Sequence, residues 1–458
     1  MRLAELTPRA LAVVYVVYAA LAAAITIWKT PPFMGPDEPN HFKRANLTLF
    51  GEWVGHKVDV NGVLVAGGTC EPTVSQAAQL FAHIPSHVEA KVDSAMMAQA
   101  ESVAWGTATD QEPFPNSAVY PPTLYLPQTL AVAAGKAAGA SVIKTLAMAR
   151  LANAVVCVAI GAVALGIAGR AAPYLFTFLL MPKPVFLTAT VTQDGMIVAL
   201  TALVAAVLGR CSQEGRGWSR AEAVVTSIAL LLVAMAKAPY ALFALGLFFA
   251  PVTKLKVKLT VVSLLLMAAF VWHGAMAVTV QTPLVRSDVV LDPSAQAAIV
   301  AHHPAIFVTA MARTLATQGK GLVIELVGSL GSMDTPMPGW FFPFALVVLA
   351  ATAGWIAVFS APPDWRRLVG YFGLASVIAF LIGVGLYLVW TPIGANTVEG
   401  LQGRYFLPIL MLLPLAFAGK GTWEPDRRLQ AAFHTIVVLA PVVSLFVLEQ
   451  TLQLRYFG

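Results

Sequence analysis

The sequence predicts an all-α, polytopic integral membrane protein with about 11 spanning helices and a long first extracytoplasmic loop. Three observations carry that expectation. The chain is 58% hydrophobic and only 11% charged, with a mean hydropathy of +0.75, whereas a soluble domain carries about 25% charged residues. Its apolar residues fall in continuous Leu-, Ala- and Val-rich runs near the ~20 residues a helix needs to cross hydrocarbon, without the alternation of a barrel strand. Its basic residues gather in short loops between those runs. A formal charge of +6 and a pI near 9.2 therefore read as the charge bias of membrane loops rather than as a nucleic-acid surface. Membrane lipids are the expected surroundings.

The first run, 10–28, follows Arg2 and Arg9 and resembles a signal peptide. It is long for one and many spans follow, so it reads as a retained first span. Further runs lie at 150–169, 171–188, 190–209, 221–236, 240–252, 258–279, 340–360, 369–390, 404–419 and 431–448. Pro182-Lys183-Pro184 and Lys237-Ala238-Pro239 mark turns between adjacent runs. A shorter stretch, 124–140, is interrupted by Pro127, Gly135 and Lys136. If it lies along the outer surface, 14 of the 29 Lys and Arg residues face the cytoplasm from short loops. If it crosses, 12 of those 14 face outward, against the positive-inside rule. The expected topology puts the N-terminus in the cytoplasm of a bacterial inner membrane, with 29–149 and 280–339 as extracytoplasmic loops. Residues 1–420 form the core, and 421–458 the final span with a short tail.

Three cysteines, Cys70, Cys157 and Cys211, suit neither a disulfide framework nor a metal motif. The segment 29–149 holds ten of the 23 acidic residues, and loops of such length are uncommon unless they carry function. It opens with Pro36-Asp37-Glu38-Pro39-Asn40-His41. A helix starting at Asp37 would put His41 one turn on, on the same face. Such an acid is commonly only an N-cap. At a membrane edge it is also placed to act as a general base toward a sugar hydroxyl, or with His41 to ligate a cation.

Downstream, Tyr120-Pro121-Pro122 is either a proline-stiffened interfacial loop or one wall of a groove. Arg150 begins the second span, where it either snorkels to headgroups or binds an anion. Gln193-Asp194 opens the fourth span, and an acid there is costly toward lipid, which points to a watery or buried site. Lys237, ahead of Tyr240, needs a partner such as a lipid-linked phosphate or Asp194 itself. Gln402-Gly403-Arg404-Tyr405 stands at the mouth of the tenth run. There Arg404 has the planar, permanent charge suited to phosphate, although anchoring at the interface explains it as well. His302-His303 and Asp334 read as ordinary loop residues.

These segments, in this order and spread over roughly residues 10–420, resemble a bacterial membrane-protein family of unknown function, number 2142. That family in turn resembles the type C (GT-C) glycosyltransferases. The resemblance implies a multi-span fold, a polyprenyl-phosphate sugar donor and transfer outside the cytoplasm. It also implies an acidic site where the first outer loop begins. It assigns Asp37 as the acid-base residue, with Glu38 and His41 in support, and matches Asp194 to a second outer acidic position. Some such enzymes use a divalent cation, Mg or Mn, and others do not; the candidate ligands here are Asp37, Glu38, His41 and Asp194. Charge and position nominate Lys237, Arg404 and Arg150 for the donor phosphate. Gln193, Tyr120, Tyr240, Gln402 and Tyr405 would line the substrate groove.

The expected activity is an inverting transfer of sugar to a cell-envelope glycan or lipid, with the acceptor held by the two long outer loops. Two rivals are an envelope-glycan polymerase or ligase using a diphosphate-linked donor, and a transporter. The transporter predicts ionisable residues near the bilayer midplane and repeated halves. The charges here sit at span ends, and no repeat is visible.

Overall fold

The computed structural model describes residues 6–282, 291–360, 364–419 and 425–458. Arg2 and Lys420, counted among the loop cations, lie outside them. Seven described helices are long and apolar enough to cross a membrane, and nine if each of two bent helix pairs is one span. The seven are Pro8–Lys29, Val142–Ile167, Asp194–Glu214, Leu255–Thr279, Phe341–Phe359, Trp365–Val389 and Arg427–Tyr456. The chain is a predominantly helical, multi-pass membrane protein.

Local chemistry sets several helix starts. Thr7 accepts from Ala10 N ahead of Pro8, Ser219 and Glu222 form a capping box, and Asp364 and Asp426 cap the last two long helices. Helix Asp194–Glu214 is the axis of the bundle, with 89% of its apolar stretch buried, against 22–39% for the other six. It therefore reads as apolar on all sides, while its neighbours show lipid a broad apolar face.

Three of the expected runs take other forms. Run 171–188 is the pair Gly169–Leu179 and Pro182–Thr188, bent by 78°; Pro182 begins a short helix instead of a turn, because proline suits a first helical turn. Run 240–252 becomes the 3-10 helix Ala238–Phe248, entered through extended backbone at Lys237. Run 404–419 is broken into Gly403–Phe406, Leu407–Leu410 and Leu412–Phe417.

The larger departure is in 280–339, expected as a loop. It contains helices Pro293–His302 and Pro304–Gly328, bent by 103° at His303, then a small hairpin pairing Ser329–Leu330 with Thr335–Pro336. Arg313, Lys320 and Glu325 break the apolar run of the second helix, which hides it from a hydropathy reading. Stretch 124–140, expected not to cross, forms helix Leu126–Ala137 of 12 residues, only ~18 Å long at 1.5 Å per residue and too short for a span.

Between the first two long helices the chain builds a cap that the all-α expectation did not include. Strands β1 (His56–Val60), β2 (Val63–Cys70) and β3 (Asp110–Pro113) form an antiparallel sheet in that order. Asn61 and Gly62, both at positive φ, make the tight turn joining β1 to β2. Cys70 is buried in β2 as a free thiol.

The cap is tied to the far end of the sequence. Arg455 donates to Ile84 O (2.8 Å), Ala90 O (3.1 Å) and an Asp334 carboxylate oxygen (2.8 Å). Val92 N donates to Tyr456 O. Asp334 is thus a partly buried ion-pair partner as well as a turn residue.

Candidate functional site

The turn that follows Pro8–Lys29 and the N-terminal end of Asp194–Glu214 both border a cavity of about 920 Å³ beneath the cap. Asp37, His41, Tyr120, Asp194, Lys237, Gln402, Arg404 and Tyr405 line it. Elements far apart in sequence supply them: helix Glu38–Leu47 and the turn before it, the loop after β3, the first residue of helix Asp194–Glu214, the break at Lys237, and the 3-10 turn Gly403–Phe406 with its cap Gln402. Leu291, Leu386, Leu388, Val389 and Trp390 add apolar surface to the lining, and Gln281, Thr282, Asp292 and Ser294 add further polar groups.

Asp37 occupies the N-cap position of helix Glu38–Leu47 without capping it: φ is 54° and its side chain makes no cap hydrogen bond. A non-glycine residue in the left-handed region is uncommon, though aspartate tolerates it better than most. The carboxylate is aimed away from the helix. Oδ1 accepts from Asn116 Nδ2 at 2.9 Å and Oδ2 from Arg404 Nη2 at 2.8 Å. Burial alone would raise its pKa, but Arg404 and these hydrogen bonds outweigh it and hold the group below the usual carboxylate range.

Arg404 sits between the two acids. Nε donates to Gln402 Oε1 at 2.6 Å, and Nη1 lies 3.6 Å from Asp194 Oδ2. That Nη1 is buried and makes no hydrogen bond among the described residues. Gly403 places the arginine: its N donates to Glu325 Oε2 at 2.7 Å, and a Cβ there would come within 2.2 Å of Leu322 O. Only glycine lets this backbone lie against helix Pro304–Gly328.

Lys237 Nζ donates to Asp194 Oδ1 at 2.9 Å and lies 4.3 Å from the Tyr405 ring centre. The Arg404 guanidinium carbon is 5.4 Å from the same ring, so the tyrosine is flanked by two cations. Tyr240 lies behind them and donates its hydroxyl to Tyr405 O at 2.9 Å. His41 is stacked on Tyr120 at 6.1 Å between ring centres and hydrogen-bonds through Nδ1 with Tyr125 Oη at 2.6 Å. Burial, outweighing the Asp37 and Asp194 carboxylates, takes the pKa of His41 down to about 4, leaving it neutral at pH 7.

Glu38 and Arg150 do not line the cavity. Glu38 has no exposed surface and accepts from Gly35 N, Val191 N and both Nε and Nη2 of Arg150 at 2.7–2.9 Å. Arg150 spends its other N–H groups on Thr30 O and Pro31 O. It neither snorkels nor faces the cavity: it closes an ion pair that fixes the chain where it leaves the first long helix. Gln193 is buried behind Asp194, its side-chain amide without a partner among the described residues. Asn116 is the contact the sequence did not disclose, since nothing in Pro113-Phe114-Pro115-Asn116 sets it apart from an ordinary loop.

The donor set does not suit a divalent cation. Among the described residues no three His, Cys, Asp or Glu side chains come together. Glu38 is sealed by Arg150 and His41 engaged with Tyr125. Of the three cavity carboxylates, Asp292 caps helix Pro293–His302, and Asp37 and Asp194 already face Arg404 and Lys237, whose charges repel a metal ion.

Comparison with known proteins adds one match. Residues 20–413 match the family described as "Predicted membrane protein (DUF2142)". No curated protein and no solved structure matches the chain.

Proposed function

This chain belongs to the predicted membrane protein family DUF2142, and from that premise we propose that it is a membrane glycosyltransferase. It would move a sugar from a polyprenyl-phosphate donor to a cell-envelope glycan or lipid. The observation that carries this reading is the amphiphilic cavity of about 920 Å³, whose lining includes the Asp37 carboxylate, two cations and the apolar side chains of Leu386, Val389 and Trp390. A lipid-linked phosphate ester has matching halves: an anionic head for Lys237 and Arg404, and an isoprenoid chain for Leu386, Val389 and Trp390.

The step is a single displacement. An acceptor hydroxyl oxygen forms a bond to the anomeric carbon, Asp37 takes the hydroxyl proton, and the carbon–oxygen bond to phosphate breaks. The polyprenyl phosphate leaves with the electron pair, its growing charge met by Arg404 and Lys237. One displacement inverts the anomeric configuration. No metal enters, because the cationic side chains occupy the position a metal would serve.

The reading includes about 11 crossings, with the N-terminus in the cytoplasm of a bacterial inner membrane and the cavity on the extracytoplasmic side. Charge supports it: Arg210, Arg216 and Arg220 lie at the ends of helices Asp194–Glu214 and Arg220–Ala236 remote from the cavity. Helix Pro304–Gly328 is then an interfacial helix. Phe307 packs on Phe380 and Tyr387 near the cavity end of Trp365–Val389, Thr314 meets Val398, and Glu325 meets Gly403.

The test is purified protein with a panel of polyprenyl-phosphate sugars, with and without a chelator. Saturable donor turnover that survives the chelator and is lost in folded Asp37→Asn is expected. Wild-type turnover in that variant removes Asp37 from the reaction, and no turnover of any monophosphate donor removes the activity.

A further inference from the structure

Three carboxylates and two cations line the cavity; Asp292 caps helix Pro293–His302, and the other two engage the cations, Arg404 with Asp37 at 2.8 Å and Lys237 with Asp194 at 2.9 Å. An incoming anion must therefore compete for a cation or share it. The two paired carboxylates are not equally able to yield. The Asp194 side chain is 9% exposed, at the start of the most buried of the seven long helices; that of Asp37 is 32% exposed and stands on a left-handed turn outside a helix. The guanidinium of Arg404 is not saturated: its buried Nη1 lies 3.6 Å from Asp194 Oδ2 and makes no hydrogen bond among the described residues.

We infer that Asp37 is a placeholder on Arg404, which a phosphate monoester displaces, so that anion binding and release of the carboxylate are one event. This rests on the glycosyltransferase reading and adds an order to it: the carboxylate is free to take a proton only after the donor phosphate has taken its arginine. Held by Arg404, Asp37 is a poor base; a bound phosphate would both position the donor and unmask the base. An unoccupied cavity then has no free base with which to activate water.

The inference has a counterintuitive consequence, since removing the proposed base should tighten binding of the leaving group. The probe is n-decyl phosphate, titrated into the full chain in detergent. Wild type, Asp37→Asn and Asp194→Asn are compared, with a thermal melt for each to confirm folding. Asp37→Asn is expected to bind about threefold to tenfold tighter than wild type, the size of one partly exposed competing ion pair. Asp194→Asn is the control, because it removes the same charge from the same cavity. A general field effect would tighten both variants alike, so equal tightening overturns the inference, as does unchanged or weaker binding in Asp37→Asn. Binding without preferential tightening leaves the glycosyltransferase reading standing; no binding in folded wild type overturns the inference, and the donor-turnover panel then decides the glycosyltransferase reading separately.

Discussion

Asp37 and Glu38 are adjacent carboxylates, each paired with an arginine distant in sequence, and they have opposite characters. Glu38 is fully buried and receives four hydrogen bonds from Arg150 and two backbone amides. Asp37 is a third exposed, sits on strained backbone and shares its arginine with a second acid. A carboxylate whose lone pairs are all engaged in a rigid, water-free setting gives little up and serves to hold structure. One held by fewer bonds at a cavity wall can exchange partners. A single residue step along the chain turns the first kind into the second, because the helix beginning at Glu38 points one side chain into the bundle and leaves its cap residue at the cavity.

The comparison breaks most sharply on turnover. Asp37→Asn should lower donor turnover by on the order of a thousandfold, as loss of a general base does, with a melting temperature near wild type. Glu38→Gln should do the reverse. Leaving the Arg150 charge buried without its partner costs about 3–5 kcal/mol, read as a large fall in melting temperature. Were Glu38→Gln as stable as wild type and inactive, the division between the two acids would be wrong.

A third substitution sharpens the contrast by moving the arginine. Gly403→Ala sets a methyl against the carbonyl of Leu322, so the turn carrying Arg404 must shift. A displacement of about 1 Å in a positioning element costs roughly a hundredfold in rate, and turnover should fall by that order while Glu38 and Arg150 stay paired. The mildest effect is on pH dependence. His41 titrates at about 4 instead of 6.5, so on acidification the unfolded chain takes up a proton before the folded one. Its contribution to stability is intact above 6.5 and is lost progressively as pH falls from 6.5 to 4. Thermal melts across that range should show the loss, and His41→Gln should flatten it.

Much of this site was legible in the sequence because ionisable residues at the ends of apolar runs are costly without a purpose. Asp37, Asp194, Lys237 and Arg404 all stood out in that way, and the structure gathers them around one cavity. Charge and position alone make Asp194 one candidate partner for Lys237. What sequence could not show was which charge pairs with which. Arg150 and Glu38 are 112 positions apart, and on composition alone Arg150 suits phosphate as well as Arg404 does. Helix Pro304–Gly328 escaped because its three charges dilute its hydropathy, though it sets the position of Gly403. The β-sheet of the cap escaped because its strands sit in a polar segment where periodicity is short and weak, apart from the Asn61-Gly62 turn.

The Arg455 clasp has a consequence for biogenesis. Ile84 and Arg455, which it joins, are 371 positions apart. A ribosome adding ~5–20 residues per second needs roughly 20–70 s to make the chain between them. Throughout that interval the cap lacks its last fastener, so its sheet must hold together through local pairing or be sheltered until helix Arg427–Tyr456 is in place. Stalling synthesis before residue 455 should therefore leave the cap open to proteases, and completing the chain should close it.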